Sequence, residues 1–397
     1  MGDIEENLII KEDDDGLDML YKMIDLGREG QNIGISTQLP KLDATIAGVQ
    51  RSTQYLVSGD TGSGKTSFCL YSLIYAPLKD RLGDNSLRII YYSLEMSKEM
   101  LLTKMLSIHI FEKYGIQLGY NDILSRTSTL QDEHYELIVA EREWLRKIMT
   151  HLVVYDKMLS PNTMYSHLKA YAKRNGVYHE NADKTQETYI PNVPNQYVLV
   201  ILDHVWLLRP NKGQDKKQAA DLAADYLTTF KNKCGYTPVV LQQLNRQAGS
   251  MDRRKASMQL PEIQDLKGTG GVAEASDVVL ALFNPARQKV AEWSGYDISR
   301  LRDKFRAIVV LKNRYGDPDV AVPVNFFGKV NIFVQMPDSE EVSRNITKYL
   351  NIESRYEEIE QLDTSKLESK NVSDEKEIDL SGMMSAFDSQ EDGTITL

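Results

Sequence analysis

Cysteine is nearly absent: Cys69 and Cys234 are the only two among 397 residues. Two cysteines cannot build a disulfide framework, which excludes a small stapled secreted domain and makes a reducing cytoplasm the expected home. Also lacking is any apolar run long enough to span a bilayer, and the opening Met-Gly-Asp-Ile-Glu-Glu is too acidic for a signal peptide. No membrane partner is expected. Positive charge is scarce at both ends. Residues 1–31 hold ten acids and three bases, and residues 353–397 hold thirteen and four. The total of −10 therefore leaves +6 on residues 32–352, a mildly basic body that keeps a nucleic-acid partner admissible despite the low pI. Three segments follow: an acidic segment at 1–31, a body at 32–352 and a tail at 353–397 whose composition predicts disorder.

What the body does contain is a phosphate loop. Gly59-Asp60-Thr61-Gly62-Ser63-Gly64-Lys65-Thr66 fits G-x-x-x-x-G-K-[ST]. Gln54–Ser58 before it reads as a buried strand and Ser67–Tyr75 after it as an apolar helix. That is the strand–loop–helix context in which backbone N–H groups and a helix N-terminus surround phosphates. Lys65 is expected on the β/γ-phosphates and Thr66 on Mg²⁺, with ATP or another NTP or dNTP as ligand; Ser67 follows on the same turn.

Around the loop, strands alternate with helices, which predicts an α/β fold with a mostly parallel, helix-covered sheet. Arg88–Leu94, His151–Tyr155, Val198–Asp203, Pro238–Leu241, Asp277–Phe283 and Ala307–Leu311 read as strands. Residues 133–150 and Asn162–Asn175 read as helices. Val320–Phe327 and Val330–Val334 read as a closing β-hairpin, with Pro323 placing the first at a sheet edge. Residues 176–196 read as a long polar loop without a core role. The run Val198–Leu202 ends in Asp203, where an α/β fold binds ligands, so Asp203 is the expected Mg²⁺-water ligand. At 16–30, Leu17, Leu20, Tyr21 and Ile24, widened by Met19 and Met23, make an apolar stripe. It serves either its own domain or a neighbouring subunit.

Five further motifs stand behind the P-loop in one order: Ser93-Leu94-Glu95-Met96-Ser97, Leu202-Asp203-His204, Gln243-Leu244-Asn245-Arg246, Asp265-Leu266-Lys267-Gly268-Thr269-Gly270 and Leu311-Lys312-Asn313-Arg314. Together they resemble hexameric replicative DNA helicases, both the bacterial DnaB family and phage primase–helicases, over about Gly34–Phe333. The resemblance implies a RecA-like P-loop core, ATP hydrolysis, a homohexameric ring and 5′-to-3′ movement on single-stranded DNA. The motif mix points to a phage-like protein. Carried over, Glu95 resembles the general base for the attacking water. Gln243 resembles the γ-phosphate sensor, with Gln242 the adjacent candidate. Arg314 resembles an arginine finger supplied to the next subunit, and Lys312, two residues earlier on a strand, could face the same phosphate. Lys267, Gly268 and Gly270 resemble the loop that grips the single-strand backbone. Two more basic clusters, Arg253-Arg254-Lys255 and Lys212, Lys216 and Lys217, either touch DNA or are solvated faces. These loops lack stacking aromatics, so the expected grip is electrostatic and salt-dependent.

The resemblance departs at the N-terminus, where about thirty residues stand in place of an N-terminal or primase domain; primase activity is not expected. The tail carries Ile378-Asp379-Leu380-Ser381-Gly382-Met383-Met384-Ser385-Ala386-Phe387, either a docking peptide for a primase, loader, polymerase or single-strand-binding protein, or a solubilising tail. Two other functions compete: a recombinase-type ATPase that forms filaments, and an ATP-gated loader or scaffold that does not unwind.

Overall fold

Thirteen strands form among the described residues: β1 (Tyr55–Gly59), β2 (Leu87–Ser93), β3 (Leu152–Tyr155), β4 (Gly176–Glu180), β5 (Glu187–Pro191), β6 (Tyr197–Asp203), β7 (Thr237–Gln243), β8 (Val278–Phe283), β9 (Glu292–Trp293), β10 (Tyr296–Asp297), β11 (Phe305–Asn313), β12 (Val320–Phe327) and β13 (Ile332–Gln335). The computed structural model describes residues 14–30, 32–79, 81–180, 187–244, 260–266 and 270–355. It falls into two units, Met1–Ile346 and Thr347–Leu397. In the second, a 3₁₀ turn at Lys348–Leu350 is followed by Arg355, whose guanidinium lies 4.7 Å from the Tyr349 ring centre.

Nine strands make one sheet in the order β13-β12-β11-β8-β1-β7-β6-β2-β3. The six from β8 to β3 run parallel, and β11, β12 and β13 are added antiparallel. The central strands β1 and β8 are buried along their whole length, because their runs are covered on both faces. On one face Ile90, Tyr92, Val200, Leu202 and Val240 pack with Leu168, Ala220, Ala224 and Leu227. Those partners come from helices Pro161–Asn175 and Lys216–Cys234. On the other face the helix after the P-loop packs on β13, where Phe68 meets Phe333 edge-on at 5.8 Å. That helix runs from Lys65 to Lys79 with a π-helical stretch at Cys69–Tyr75.

Two expectations need correction. Residues 176–196 are not a plain loop: β4 and β5 pair antiparallel with Tyr178 opposite Tyr189. Both rings pack against the core that contains Tyr236, and Tyr189 Oη donates to Ala172 O at 3.3 Å. Two aromatics on one face of the ribbon supply the burial that its polar neighbours hide. Pro323 does not mark an edge strand, since β12 lies between β11 and β13. The residue is tolerated because pairing with β13 starts at Val324, and Pro323 contributes its carbonyl to Met336 N at 2.9 Å.

The N-terminal stripe lies on a helix, Asp14–Arg28, on which Leu17, Leu20, Tyr21, Met23 and Ile24 are each about half exposed. No helix among the described residues is long and apolar enough to cross a membrane.

Candidate functional site

The P-loop leaves β1 at Gly59 and enters its helix at Lys65. Its tight path depends on glycine. Gly64 has φ +105°, and a Cβ there would lie 3.1 Å from Phe333 Cζ; Gly62 has φ +73°, and a Cβ there would collide with the Arg287 guanidinium at 2.4 Å. Beside the loop lies a pocket of about 200 Å³ lined by Thr61, Lys65, Thr66, Glu95, His204 and Gln243, together with Gly62, Gly64 and Ser67. Residues from the ends of β1, β2, β6 and β7 thus meet at the C-terminal edge of the parallel sheet, where such folds place their ligands.

Burial sets the chemistry of that pocket. Lys65 Nζ donates to Gly59 O at 2.7 Å and Asp60 O at 2.9 Å. Desolvation lowers its pKa, opposed by the charges of Asp203, Asp60 and Glu95. The Asp203 carboxylate is buried, and that burial raises its pKa, against hydrogen bonds from Tyr91 and Thr66 that favour the charged form. Tyr91 Oη donates to Asp203 Oδ2 at 2.8 Å and Thr66 Oγ1 donates to the same oxygen at 2.9 Å. This pair of hard oxygens suits Mg²⁺, which takes one or two protein ligands and fills its remaining positions with phosphate oxygens and water. Glu95 is exposed, just beyond the end of β2. Burial lowers the His204 pKa, opposed by the charges of Asp203 and Glu95, and its Nδ1 has no hydrogen-bond partner among the described residues.

Gln243 and Gln242 separate clearly. Gln243 lies opposite Gly59 in the parallel register and donates from Nε2 to Thr61 Oγ1, whereas Gln242 points into the core. Ser67 is turned away, donating to Asn331 Oδ1 at 2.9 Å, an oxygen that also accepts from Lys104 Nζ at 3.3 Å.

Several groups that no sequence motif marked also hold the loop. Arg287 donates to Thr61 O at 2.7 Å and Gln288 to the Asp60 carboxylate at 3.0 Å. Arg306, buried and with its pKa lowered by desolvation to about 10, donates to Ser63 O at 3.0 Å. Its guanidinium lies 5.2 Å from the Phe326 ring centre. Tyr91, beside Tyr92 on β2, carried no local signal that set it apart from its neighbour.

The remaining candidates lie elsewhere. Arg314 follows the last residue of β11, and Asn313 pairs with Val278 at the start of β8. Gly59 pairs with Leu282, four residues further along the same strand. Arg314 is therefore at the opposite sheet edge from its own P-loop, separated by about 13 Å of strand rise alone. Within this chain it and Lys312 have different partners. A bulge between Val310 and Lys312 shifts the register, and Lys312 Nζ donates to Ala273 O at 3.2 Å and Glu274 O at 3.1 Å. Arg314 instead pairs with Asp277 at 2.8 Å. Lys212, Lys216 and Lys217 are exposed around the start of the helix Lys216–Cys234. Gly270 opens the helix Gly270–Ala275. Lys267, Gly268, Arg253, Arg254, Lys255, Asn245 and the whole 356–397 segment lie outside the described residues.

A parallel sheet with a P-loop at its carboxyl edge and a strand-end Asp on the P-loop threonine defines a P-loop nucleotide-binding protein with a RecA-like core. The model of the DnaB-like helicase C terminal domain matches residues 34–335, and the chain belongs to that family. The replicative DNA helicase DnaB of Rickettsia bellii is 22% identical over 345 residues, covering 82% of this chain and 59% of the relative. That of Helicobacter pylori strain J99 is 23% identical over 252 residues, covering 63% and 44%. The chain thus spans about half the length of these relatives. Among solved structures, the ATPase domain of G40P matches with a TM-score of 0.61 at 18% identity, over 82% of this chain and 98% of that one. A DnaB-like replicative helicase, described with its interactions with primase, matches at 0.60 and 19%, over 82% and 69%. These two likenesses are of fold.

Proposed function

We propose that the chain is the motor of an ATP-dependent replicative DNA helicase, a homohexameric ring that moves 5′-to-3′ on single-stranded DNA and separates the duplex ahead. The observation that carries this reading is the position of Arg314. It cannot serve the P-loop of its own chain, so an Arg314 that acts in hydrolysis serves a neighbour's, and turnover requires an assembly. Membership of the DnaB-like family supports the ring and the DNA track. The exposed stripe on Asp14–Arg28 supports a subunit contact.

In this reading residues 1–31 dock, 32–352 form the motor and 353–397 are a tail. P-loop backbone N–H groups and Lys65 bind the β- and γ-phosphates of ATP. Thr66 and Asp203 would hold Mg²⁺, which when bound neutralises charge on the phosphates. Glu95 takes the proton of the attacking water. Gln243, already on Thr61, can report the γ-phosphate to the end of β7 and the loop beyond it. Arg314 of the adjacent subunit stabilises the transition state, a contribution of about 10³–10⁵ in rate in related systems. Lys267, Gly268 and Gly270 grip the phosphate backbone, with Lys212, Lys216, Lys217 and the 253–255 cluster adding charge. The tail is a docking peptide for a replisome partner such as a primase, loader, polymerase or single-strand-binding protein in the cytoplasm; unchanged partner capture after deleting residues 376–397 removes that part.

The test is forked-duplex unwinding by wild type, Lys65→Ala, Arg314→Ala and Lys267→Ala. The first two substitutions are expected to abolish hydrolysis and unwinding, and the third to keep basal hydrolysis while losing DNA stimulation. Robust unwinding by Arg314→Ala sinks the finger, and filaments instead of closed rings in electron micrographs favour a recombinase.

A further inference from the structure

Asp277 is a carboxylate with no solvent exposure at the first turn of chain before β8. Oδ2 accepts from Gln54 N and from Lys231 Nζ, both at 2.9 Å. Oδ1 lies 2.8 Å from the Arg314 guanidinium, and Asp277 O accepts from Arg314 N at 3.0 Å. One buried acid therefore meets two cations of different kinds. Lys231 is buried with it, at 10% side-chain exposure, and balances its charge. Arg314 is 53% exposed: its backbone N–H and one guanidinium nitrogen are engaged by Asp277, while the rest of the side chain is open to another molecule. A lysine already neutralises the carboxylate. The second, half-exposed cation is thereby given a fixed direction.

The surroundings tie that direction to the neighbouring helices. Asp277 follows the helix Gly270–Ala275 after a single residue, and Lys312 caps that helix's last carbonyls. The same helix abuts Lys216–Cys234, since a Cβ on Gly271 would lie 2.6 Å from Asp221 Oδ1, and Lys231 is on that second helix.

We propose that Asp277, with Lys231 as its counter-ion, is the positioning residue that aims Arg314 at the adjacent subunit's nucleotide. This rests on the reading of Arg314 as a finger acting in trans. Asp277 touches neither nucleotide nor DNA. It acts through Arg314, and the helix Gly270–Ala275 that ends beside it is the element through which DNA contacts would shift the finger.

Complementation between two impaired variants tests it. Asp277→Asn keeps the side chain's size and removes its charge, while Asp277→Asn with Lys231→Met removes the buried pair together and guards against misfolding from an unpaired lysine. Each is expected to lower kcat of DNA-stimulated ATP hydrolysis at least tenfold with KM for ATP within twofold of wild type. Mixed with Lys65→Ala, which has a poor P-loop and a sound finger, either should recover hydrolysis above the sum of the separate activities. Mixed with Arg314→Ala, neither should, because both partners then lack a working finger. Wild-type kcat in folded Asp277 variants, or no recovery with Lys65→Ala while Arg314→Ala does recover with it, overturns the role of Asp277 and leaves the finger standing. Full activity of Arg314→Ala alone overturns both.

Discussion

The two edges of the central sheet are built on opposite plans. At the carboxyl edge of β1, groups from four strands converge on one pocket, where Thr66 donates to Asp203 and Lys65 donates to the loop's own carbonyls. At the far edge, Arg314 turns its open face outward from a buried anchor. The difference teaches that one chain carries two halves of different sites. The inward half is organised by desolvation, which makes each charge sensitive to its neighbours. The outward half is organised by a single anchor and is incomplete without a second molecule.

The comparison breaks first at Arg314. Arg314→Ala is expected to lower ATP turnover by about 10³–10⁵ with nucleotide binding retained, as read by steady-state hydrolysis beside fluorescent-nucleotide titration. Loss of binding instead would show that Arg314 holds the bound nucleotide itself and not the transition state alone. Lys65→Ala removes a donor from the inward half, and a loss of about 10²–10³ in turnover is expected; unlike Arg314→Ala, it should also weaken binding in the same titration.

Assembly comes next. Replacing Leu20 and Ile24 with Glu puts charge into the exposed stripe. Each apolar side chain buried at a contact is worth about 1.5–3 kcal/mol, so the paired change should weaken subunit association by on the order of 100-fold or more. Sedimentation velocity across a concentration series reads it; unchanged sedimentation removes the stripe from the interface.

The smallest effect sharpens the inward half. Burial raises the Asp203 pKa, so its carboxylate takes up a proton at a higher pH than an exposed aspartate. The protonated form is a poor cation ligand, so Mg²⁺-dependent hydrolysis should fall on the acid side and recover with added Mg²⁺. Tyr91→Phe deletes a donor that favours the charged form, and the acid limb should move to higher pH, with about a fivefold loss at its midpoint for roughly 1 kcal/mol. An unmoved limb shows that Asp203 does not govern it.

Much of the inward half was legible because its parts are contiguous. A P-loop is read in eight residues, and Asp203 ends a short apolar run rich in β-branched residues, the pattern of a covered strand. Gln243 was set apart from Gln242 by the motif match alone, and the strand pairing places Gln243 opposite Gly59. Arg287, Gln288 and Arg306 were not legible: they reach the loop from more than 220 residues away, and no local pattern marks them. The ribbon at 176–191 was missed for a related reason, because one tyrosine per strand is too sparse to register as an alternating pattern.

By itself the sequence determined that a phosphate loop sits between a strand and a helix in an alternating α/β chain. Those features depend on residues close along the backbone, where glycine, hydrophobic period and strand ends act locally. Only the tertiary structure decided that Arg314 stands at the far edge from Lys65, on a buried Asp277 paired with Lys231. That arrangement follows from antiparallel β11 running back along β8, a consequence of sheet order that no single stretch of chain contains.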